Sequence, residues 1–493
     1  MNEKMNDALN EISDRHIDEA ATYKKRRNPW WFAAVAAVLA VVLLVGVLWN
    51  PRANLPTIQS TKPNTFPSIA PPKDPGSLQL SNLVASPSYP IMPQRPNRQD
   101  YTHGSDYSND YLLWQKEINL FYNQPDGYAD SLTNFFFSSI QEFLSGSENG
   151  AYSPVNVYLA MAMLAQTADG NSRQEILDLF GLDSIEALQE QASHVWNAHY
   201  RDDGESICLL ANSLWLDDSH SFHQNTVDAL ANHFYATSFH GDLGTASMNE
   251  QLRTWLDAQT GGLLQDQVGN VKLDPEAVLA LASTVYYTAN WKNPFNKKKT
   301  ADAVFYCDDK NLITPFMNAT FTGTYYRANH FSAVELPLSD GNSMWLILPG
   351  KWFDVADILK SDDYLQLILA PQKWKNQKEM IIHLSLPKFD VSSQMNLVAG
   401  MKNLGVTDIF DAAISDFTPI TDTPNLFVNK IDHSARVRID EKGVTGAAYT
   451  ILDFLAGGNP PEDEVDFILD RPFLFIVTSQ DNLPLFAGTV TEP

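Results

Sequence analysis

Cysteine is almost missing from this chain. Cys208 and Cys307 are the only two among 493 residues, and no Cys-x-x-Cys pair occurs. That argues against a disulfide framework or a zinc ribbon. One bridge between the two remains open, with two separate buried thiols as the expectation. Positive charge is scarce as well: 34 Lys and Arg stand against 59 Asp and Glu, a formal charge of −25. Such a chain repels a phosphate backbone, so nucleic acid is not an expected partner, and cationic partners would be drawn to it. The sequence also lacks HExxH, GxGxxG, GxSxG and phosphate-loop patterns. No enzyme chemistry, metal site or cofactor is therefore expected.

What is present falls into four stretches. Residues 1–29 are polar and end in Lys24-Lys25-Arg26-Arg27. Residues 30–49, "WWFAAVAAVLAVVLLVGVLW", are apolar and uncharged. A run of about 20 such residues is roughly 30 Å long as a helix and spans a bilayer. Tryptophans at both ends suit the two interfaces, and the basic cluster should stay cytoplasmic. A retained single-pass anchor at the cell membrane is expected, with the rest of the chain outside. A cleaved signal peptide fits less well, because the run is long and no small-x-small site follows closely. Residues 50–108 are rich in Pro, Ser, Asn and Thr and read as a disordered spacer.

Residues 109–493 are expected to be globular. Helical spacing comes first, in "YADSLTNFFFSSIQEFL" and "SPVNVYLAMAMLAQTA". Ser153 is placed to cap the second, with Pro154 in its first turn. Ser172 followed by Glu175 reads as a capping box. Strand patterns follow, among them "ICLLANSLWL", "AVLALASTVYYTANW", "MWLILPG", "ARVRID" and "PFLFIVTS". Helices first and long strands later imply an α+β domain with large, mostly antiparallel sheets.

One late segment is odd. In "ARVRID", Ala435, Val437 and Ile439 alternate with Arg436, Arg438 and Asp440, a strand with one buried face. After Glu441-Lys442-Gly443 the alternation continues, but Val444, Gly446, Ala448 and Thr450 are all small. Thr445, Ala447, Tyr449 and Ile451 form the other set. As a strand, the small set could face a crowded helix layer and the other set solvent. The segment thus suits two states, an exposed loop or an inserted strand.

In order along the chain, "SPVNVYLAMAMLAQTADGNSRQEI", "ASTVYYTANWKNPF", "LPKFDVSSQMNLVAGMKNLGVTDIF", "VNKIDHSARVRIDEKGVTGAAYT" and "DRPFLFIVTSQDNLPLFAGTV" resemble the signature segments of the serpin family. The resemblance covers residues 109–493. It implies about three β-sheets, eight to nine helices and an exposed reactive-centre loop. It also implies a monomeric suicide inhibitor of serine proteases. Cleavage of the loop forms an acyl-enzyme, and insertion of the freed loop into the large sheet traps it.

By the same resemblance, Glu441 and Gly443 to Thr450 form the hinge, Thr445 and Ala447 included. Val444 stands where the family prefers Thr, Thr445 where it often has Glu, and Gly446 where it prefers Ala. The inhibitory spacing, counted from Glu441, places the scissile residue near Gly457. Phe454, Leu455, Ala456 and Gly457 are the candidates. No Lys or Arg lies between Val444 and Leu469, which disfavours trypsin-like enzymes. Elastase-like proteases are the expected targets. Chymotrypsin-like, subtilisin-like or papain-like enzymes are alternatives, as is a non-inhibitory surface binding protein. The acidic run Glu462-Asp463-Glu464 could steer a cationic protease.

Ser153, Asn156, Ser283 and His433 are implied to sit where the large sheet opens. Ser283 replaces the usual Asn and Asn156 a usual Ser, so an amide moved across the interface is expected to keep a network with His433. Trp291 is expected beside Glu441, where insertion starts. The anchor, the spacer and the lack of a disulfide framework suggest a bacterial surface protein.

Overall fold

A computed structural model describes residues 82–204, 206–262, 271–444 and 461–493, all within one compact unit spanning Ser68–Pro493. Ten α-helices and seventeen strands form among them. The first half holds β1 (Leu83–Ala85), α1 (Gly104–Tyr122), α2 (Thr133–Phe143), β2 (Gly150–Tyr152), α3 (Pro154–Thr167), α4 (Gly170–Phe180) and α5 (Ile185–His199). Then come β3 (Arg201–Asp202), β4 (Ile207–Asp217), α6 (Gln224–Phe234), β5 (Ala236–Gly241), α7 (Ala246–Gln259) and β6 (Leu279–Asn290). A strand-rich stretch follows: β7 (Ala301–Tyr306), β8 (Asn311–Arg327), β9 (Phe331–Pro337), β10 (Ser343–Pro349), α8 (Val355–Leu359), α9 (Asp363–Leu369) and β11 (Gln377–Pro387). The chain closes with β12 (Asp390–Asn396), α10 (Val398–Asn403), β13 (Asp432–Arg438), β14 (Gly443–Val444), β15 (Glu464–Ile468), β16 (Phe473–Thr478) and β17 (Pro484–Val490).

The strands make three sheets. One runs β1-β5-β4-β6-β14, with β3 on β4. The second runs β15-β11-β8-β9-β10-β16-β17-β2, with β7 on β8. The third is the pair β12-β13. Most pairings are antiparallel, with β4–β5 and β11–β15 parallel. Strands β10, β16 and β17 are buried along their whole length, which explains their continuous apolar runs.

Helix α3 explains how the sheets are joined. It is apolar nearly all round, and all of its residues but Ala160 are buried. A helix with no polar face belongs in the middle of a core. It packs between β6 of the first sheet and β17 of the second. Ser153 caps it as expected, accepting from the Asn156 backbone N–H with Pro154 at the first position.

Other expectations are corrected. Helix α4 starts at Gly170 after Asp169, not at a Ser172 capping box. The Ser172 hydroxyl instead accepts from the Asp416 N–H. Glu175 accepts from the Thr407 and Asp408 N–H groups across the domain. The spacer read through residue 108 also ends too late: β1 already pairs with β5, and α1 begins at Gly104. Its apolar residues are scattered singly, so they form no periodic pattern, yet Met92 is buried and Tyr89 packs on Trp196 and Tyr200. Both cysteines are free. Cys208 is buried, whereas Cys307 is only half-buried. The segment 30–49 lies outside the described residues, and among the described residues no helix is long and apolar enough to cross a membrane.

Candidate functional site: the hinge and the seam

Strand β13 rises with Ala435, Val437 and Ile439 buried at 3% exposure or less and then reverses in a tight turn. The Asp440 carboxylate accepts from the Lys442 N–H at 2.7 Å and the Gly443 N–H at 3.4 Å, an Asx turn. The Asp440 N–H donates to the Gly443 carbonyl at 3.1 Å. Val444 then bridges back to Ile439, antiparallel. On its other side β14 pairs antiparallel with β6, Gly443 opposite Asn290 and Val444 opposite Ala289. Gly443-Val444 is thus the first step of a strand lying between β6 and β13.

Below that step no strand pairing joins the two neighbours among the described residues. Among the described residues, β6 is paired along its length only with β4, and β13 only with β12. Both run in the same direction, since β14 is antiparallel to each. A seam therefore separates two strands that each present an unmatched edge to a β14 extended downward.

Glycine is required at the step. A Cβ on Gly443 would lie 2.7 Å from Asn290 Cα, and closer still to the Ala289 carbonyl oxygen. Both are backbone atoms, so no side-chain rotation relieves the overlap. Val444 is 2% exposed and belongs to the main core. Of the small set, Val444 alone lies among the described residues, and it faces the core.

The turn is pinned from outside. Trp291 is buried, and its indole Nε1–H donates to the Asp440 carbonyl at 2.8 Å. The Trp291 N–H donates to Lys442 O and the Phe295 N–H to Glu441 O. Glu441 is buried and takes Lys388 at 2.7 Å and the Thr300 hydroxyl at 2.9 Å. Burial pushes the Glu441 carboxyl up, but Lys388, a backbone N–H and Thr300 outweigh it and leave it below the usual range. The Thr288 hydroxyl donates to the Val444 carbonyl at 3.2 Å.

At the lower end of the seam, Ser153 is the hub. Its hydroxyl donates to Leu485 O at 2.7 Å, and its N–H donates to His433 Nε2 at 3.2 Å. That bond needs a bare Nε2, and burial lowers the His433 pKa to about 4, so the ring is neutral near pH 7. Asn156 Nδ2 donates to the backbone carbonyl of Ser283 at 3.3 Å. The expected amide therefore ties α3 to β6, but through the Ser283 backbone and without touching His433. The Ser283 hydroxyl is buried and has no partner, as is the neighbouring Thr284 hydroxyl.

Thr445, Gly446, Ala447, Ala448, Tyr449 and Thr450 lie outside the described residues, as do Phe454, Leu455, Ala456 and Gly457. The chain resumes at Pro461, and β15 adds to the edge of β11. There Asp463 is paired with Lys378, and Glu464 with His383 at 3.2 Å. Two of the three acids read as steering charge thus fasten the strand that follows the loop. Sequence reasoning missed Lys388, Thr300 and Thr288, whose pairing with the hinge no spacing reveals. The Asx turn at Asp440 was legible in Asp-Glu-Lys-Gly.

The glycine-initiated step thus sits at the top of a seam between the first sheet and the β12-β13 pair. Comparisons with known proteins place the domain. The family model described as Serpin (serine protease inhibitor) matches residues 130–493, and the chain belongs to that family. Its members are protease inhibitors, not enzymes. Serpin-Z2B of Triticum aestivum is 27% identical over 384 residues, 73% of this chain and 95% of the relative. Alpha-1-antiproteinase 2 of Equus caballus is 26% identical over 403 residues, 80% and 91% of the two chains. Among solved structures, the thermophilic serpin tengpin in its native state superposes with a TM-score of 0.66 at 24% identity, covering 75% of this chain and 95% of its own. A thyroxine-binding globulin in complex with thyroxine shares the fold at a TM-score of 0.62 and 21% identity, covering 74% and 98%.

Proposed function

We propose that this chain is an inhibitory serpin that traps serine proteases through insertion of its cleaved loop into the seam between β6 and β13. The observation that carries the reading is Gly443-Val444, already paired with β6 on one side and bridged to Ile439 on the other. An inserting loop would only lengthen a ladder whose first step exists. The residues that follow on the core-facing side, Gly446, Ala448 and Thr450, carry no bulky, charged or proline side chain.

The bait lies around Leu455 to Gly457, with elastase-like proteases as targets and chymotrypsin-like cleavage after Phe454 or Leu455 as second choice. Residues 30–49 hold a monomeric serpin domain on the outer face of a membrane, in keeping with a bacterial surface protein. A second reading, a non-inhibitory binding protein on the same fold, draws support from the likeness to thyroxine-binding globulin.

One gel separates them. A fragment beginning at Ser68, where the compact unit starts, is mixed with a pancreatic or neutrophil-type elastase. The inhibitor reading expects an SDS-stable adduct and a released C-terminal peptide starting within 455–458. Clean loop cleavage without adduct, across elastase-, chymotrypsin- and subtilisin-like enzymes, sinks it. Resistance of the full chain to alkaline extraction from membranes tests the anchor.

A further inference from the structure

The surface of this acidic chain is interrupted by three loops that carry no acid. The turn between β8 and β9 holds Arg327 and His330. The loop after β10 holds Lys351, Trp352 and Phe353, and the segment leading into β11 holds Lys373, Trp374 and Lys375. Residues 327–331, 349–353 and 370–376 contain no Asp or Glu, in a chain that has 59.

Hydrogen bonds join the three loops into one surface. The Gly350 N–H donates to His330 O at 2.7 Å, and the Arg327 N–H donates to Asn376 O at 2.9 Å. The Trp374 indole donates to Arg327 O, also at 2.9 Å. The Phe353 ring meets the His330 ring edge-on at 4.6 Å. Arg471, just before β16, donates to Pro349 O at 2.8 Å and pairs with Asp470.

Two features of this surface call for a partner. Trp352 is 84% exposed and Phe353 38%, although rings of this size are mostly buried in folded domains. Lys351 Nζ lies 5.4 Å from the centre of the Trp352 ring, so cation and ring go together. Arg327, Lys351, Lys373 and Lys375 are exposed, and none makes an ion pair among the described residues. The next lysine along, Lys378, is matched by Asp463 and marks the edge of the patch.

Rings beside unmatched lysines suit one kind of surface. Indole rings settle at the boundary between lipid headgroups and acyl chains. Each lysine near an anionic bilayer strengthens attachment by about fivefold. A soluble anion would need only the charges, and an apolar protein face only the rings. The acidic remainder of the chain is repelled by an anionic bilayer, which confines contact to the patch.

We propose that loops 327–331, 349–353 and 371–376 form a docking surface for an anionic lipid bilayer. Which bilayer it meets rests on the reading of residues 30–49 as a membrane anchor: the lipid that holds the anchor is the lipid the patch touches. The anchor limits how far the domain can go, and the patch decides which face it turns to the membrane.

The test uses the full chain in nanodiscs of phosphatidylcholine, alone or with about a third phosphatidylglycerol. Amide exchange is read at 350–354 and 372–376. It should be at least about threefold slower in the anionic discs than in the neutral ones. Lys351→Glu with Lys373→Glu and Lys375→Glu should abolish the difference, and Trp352→Ala should reduce it by about half. Lys297→Glu with Lys298→Glu and Lys299→Glu removes the same charge from an exposed turn before β7 and should leave the protection in place. If the chain does not enter discs, the anchor reading has failed. The same exchange is then read on the soluble chain with vesicles of the two compositions, so the patch stands or falls by itself. Equal exchange in the two lipids overturns the proposal, as does protection that survives in the patch variant. Equal loss in both triple variants also overturns it, since net charge alone would then act. So does equal protection in neutral discs by added dextran sulfate, which would make the patch a polysaccharide site.

Discussion

Gly443→Ala is the sharpest probe of the hinge. The added methyl would overlap Asn290 Cα at 2.7 Å and lie still closer to the Ala289 carbonyl oxygen. Since both are backbone, the step between β6 and β13 must open. Val444, 2% exposed, then leaves the core. Losing a buried valine costs about 1.5–3 kcal/mol, and each lost ladder bond about 1 kcal/mol. A barrier raised by about 3 kcal/mol slows insertion roughly a hundredfold. Hydrolysis of the acyl-enzyme would then outrun trapping. The assay is densitometry of adduct against cleaved serpin at rising inhibitor-to-protease ratios, using whichever protease forms an adduct with the unaltered chain. Cleaved serpin should become the main product. Val444→Ala keeps the glycine and removes only side-chain volume, so it should shift the ratio far less. If Gly443→Ala traps as efficiently as the unaltered chain, backbone crowding at this step does not govern insertion, and the reasoning fails.

Other expectations follow from the pins around the seam. The His433 pKa of about 4 lies below the unfolded value of about 6.5, so the unfolded chain binds the proton more readily. Stability should therefore fall as pH drops from about 6.5 toward 4, by about 2 kcal/mol between pH 7 and pH 5. His433→Gln should flatten that slope in urea titrations. Glu441 is lowered as well, its carboxyl held down by Lys388, a backbone N–H and Thr300 against the upward push of burial. Its contribution is present above its unfolded value of about 4.5 and is lost below it. Lys388→Met should therefore weaken the turn at neutral pH, seen as faster amide exchange at Lys442 and Gly443. Trp291→Phe removes the bond to Asp440 O and should cost about 1 kcal/mol, measured by thermal melting.

Some of this was readable in advance, for physical reasons. The hinge shows because a strand that alternates cleanly through Ile439 and then turns small has few other uses. Ser153 shows because a helix start before Pro154 has an unsatisfied donor that a hydroxyl can meet. The docking of the stretch from Asn82 did not show, because Tyr89 and Met92 act singly at sites supplied by α5 and β3, far along the chain. Ser172 misled because its hydroxyl serves a distant N–H, and local spacing cannot distinguish that from a cap. The Asn156 amide was expected to join His433, but it donates to the Ser283 backbone carbonyl instead, an acceptor that side-chain identity does not reveal.

The two-residue step also works as a ruler. With Val444 opposite Ala289, each further residue must fall one place lower on β6, because a slip of one would turn every side chain to the wrong face. In the proposed inserted state, Gly446 would fall opposite Tyr287, Ala448 opposite Val285 and Thr450 opposite Ser283. The threonine would thus arrive beside the buried hydroxyl that has no partner in the present state. Phe454 would come to rest opposite Leu279, the first residue of β6. That is ten residues below the step, about 34 Å at strand rise. If the loop inserts as proposed, its alignment on β6 follows from where Gly443 and Val444 sit.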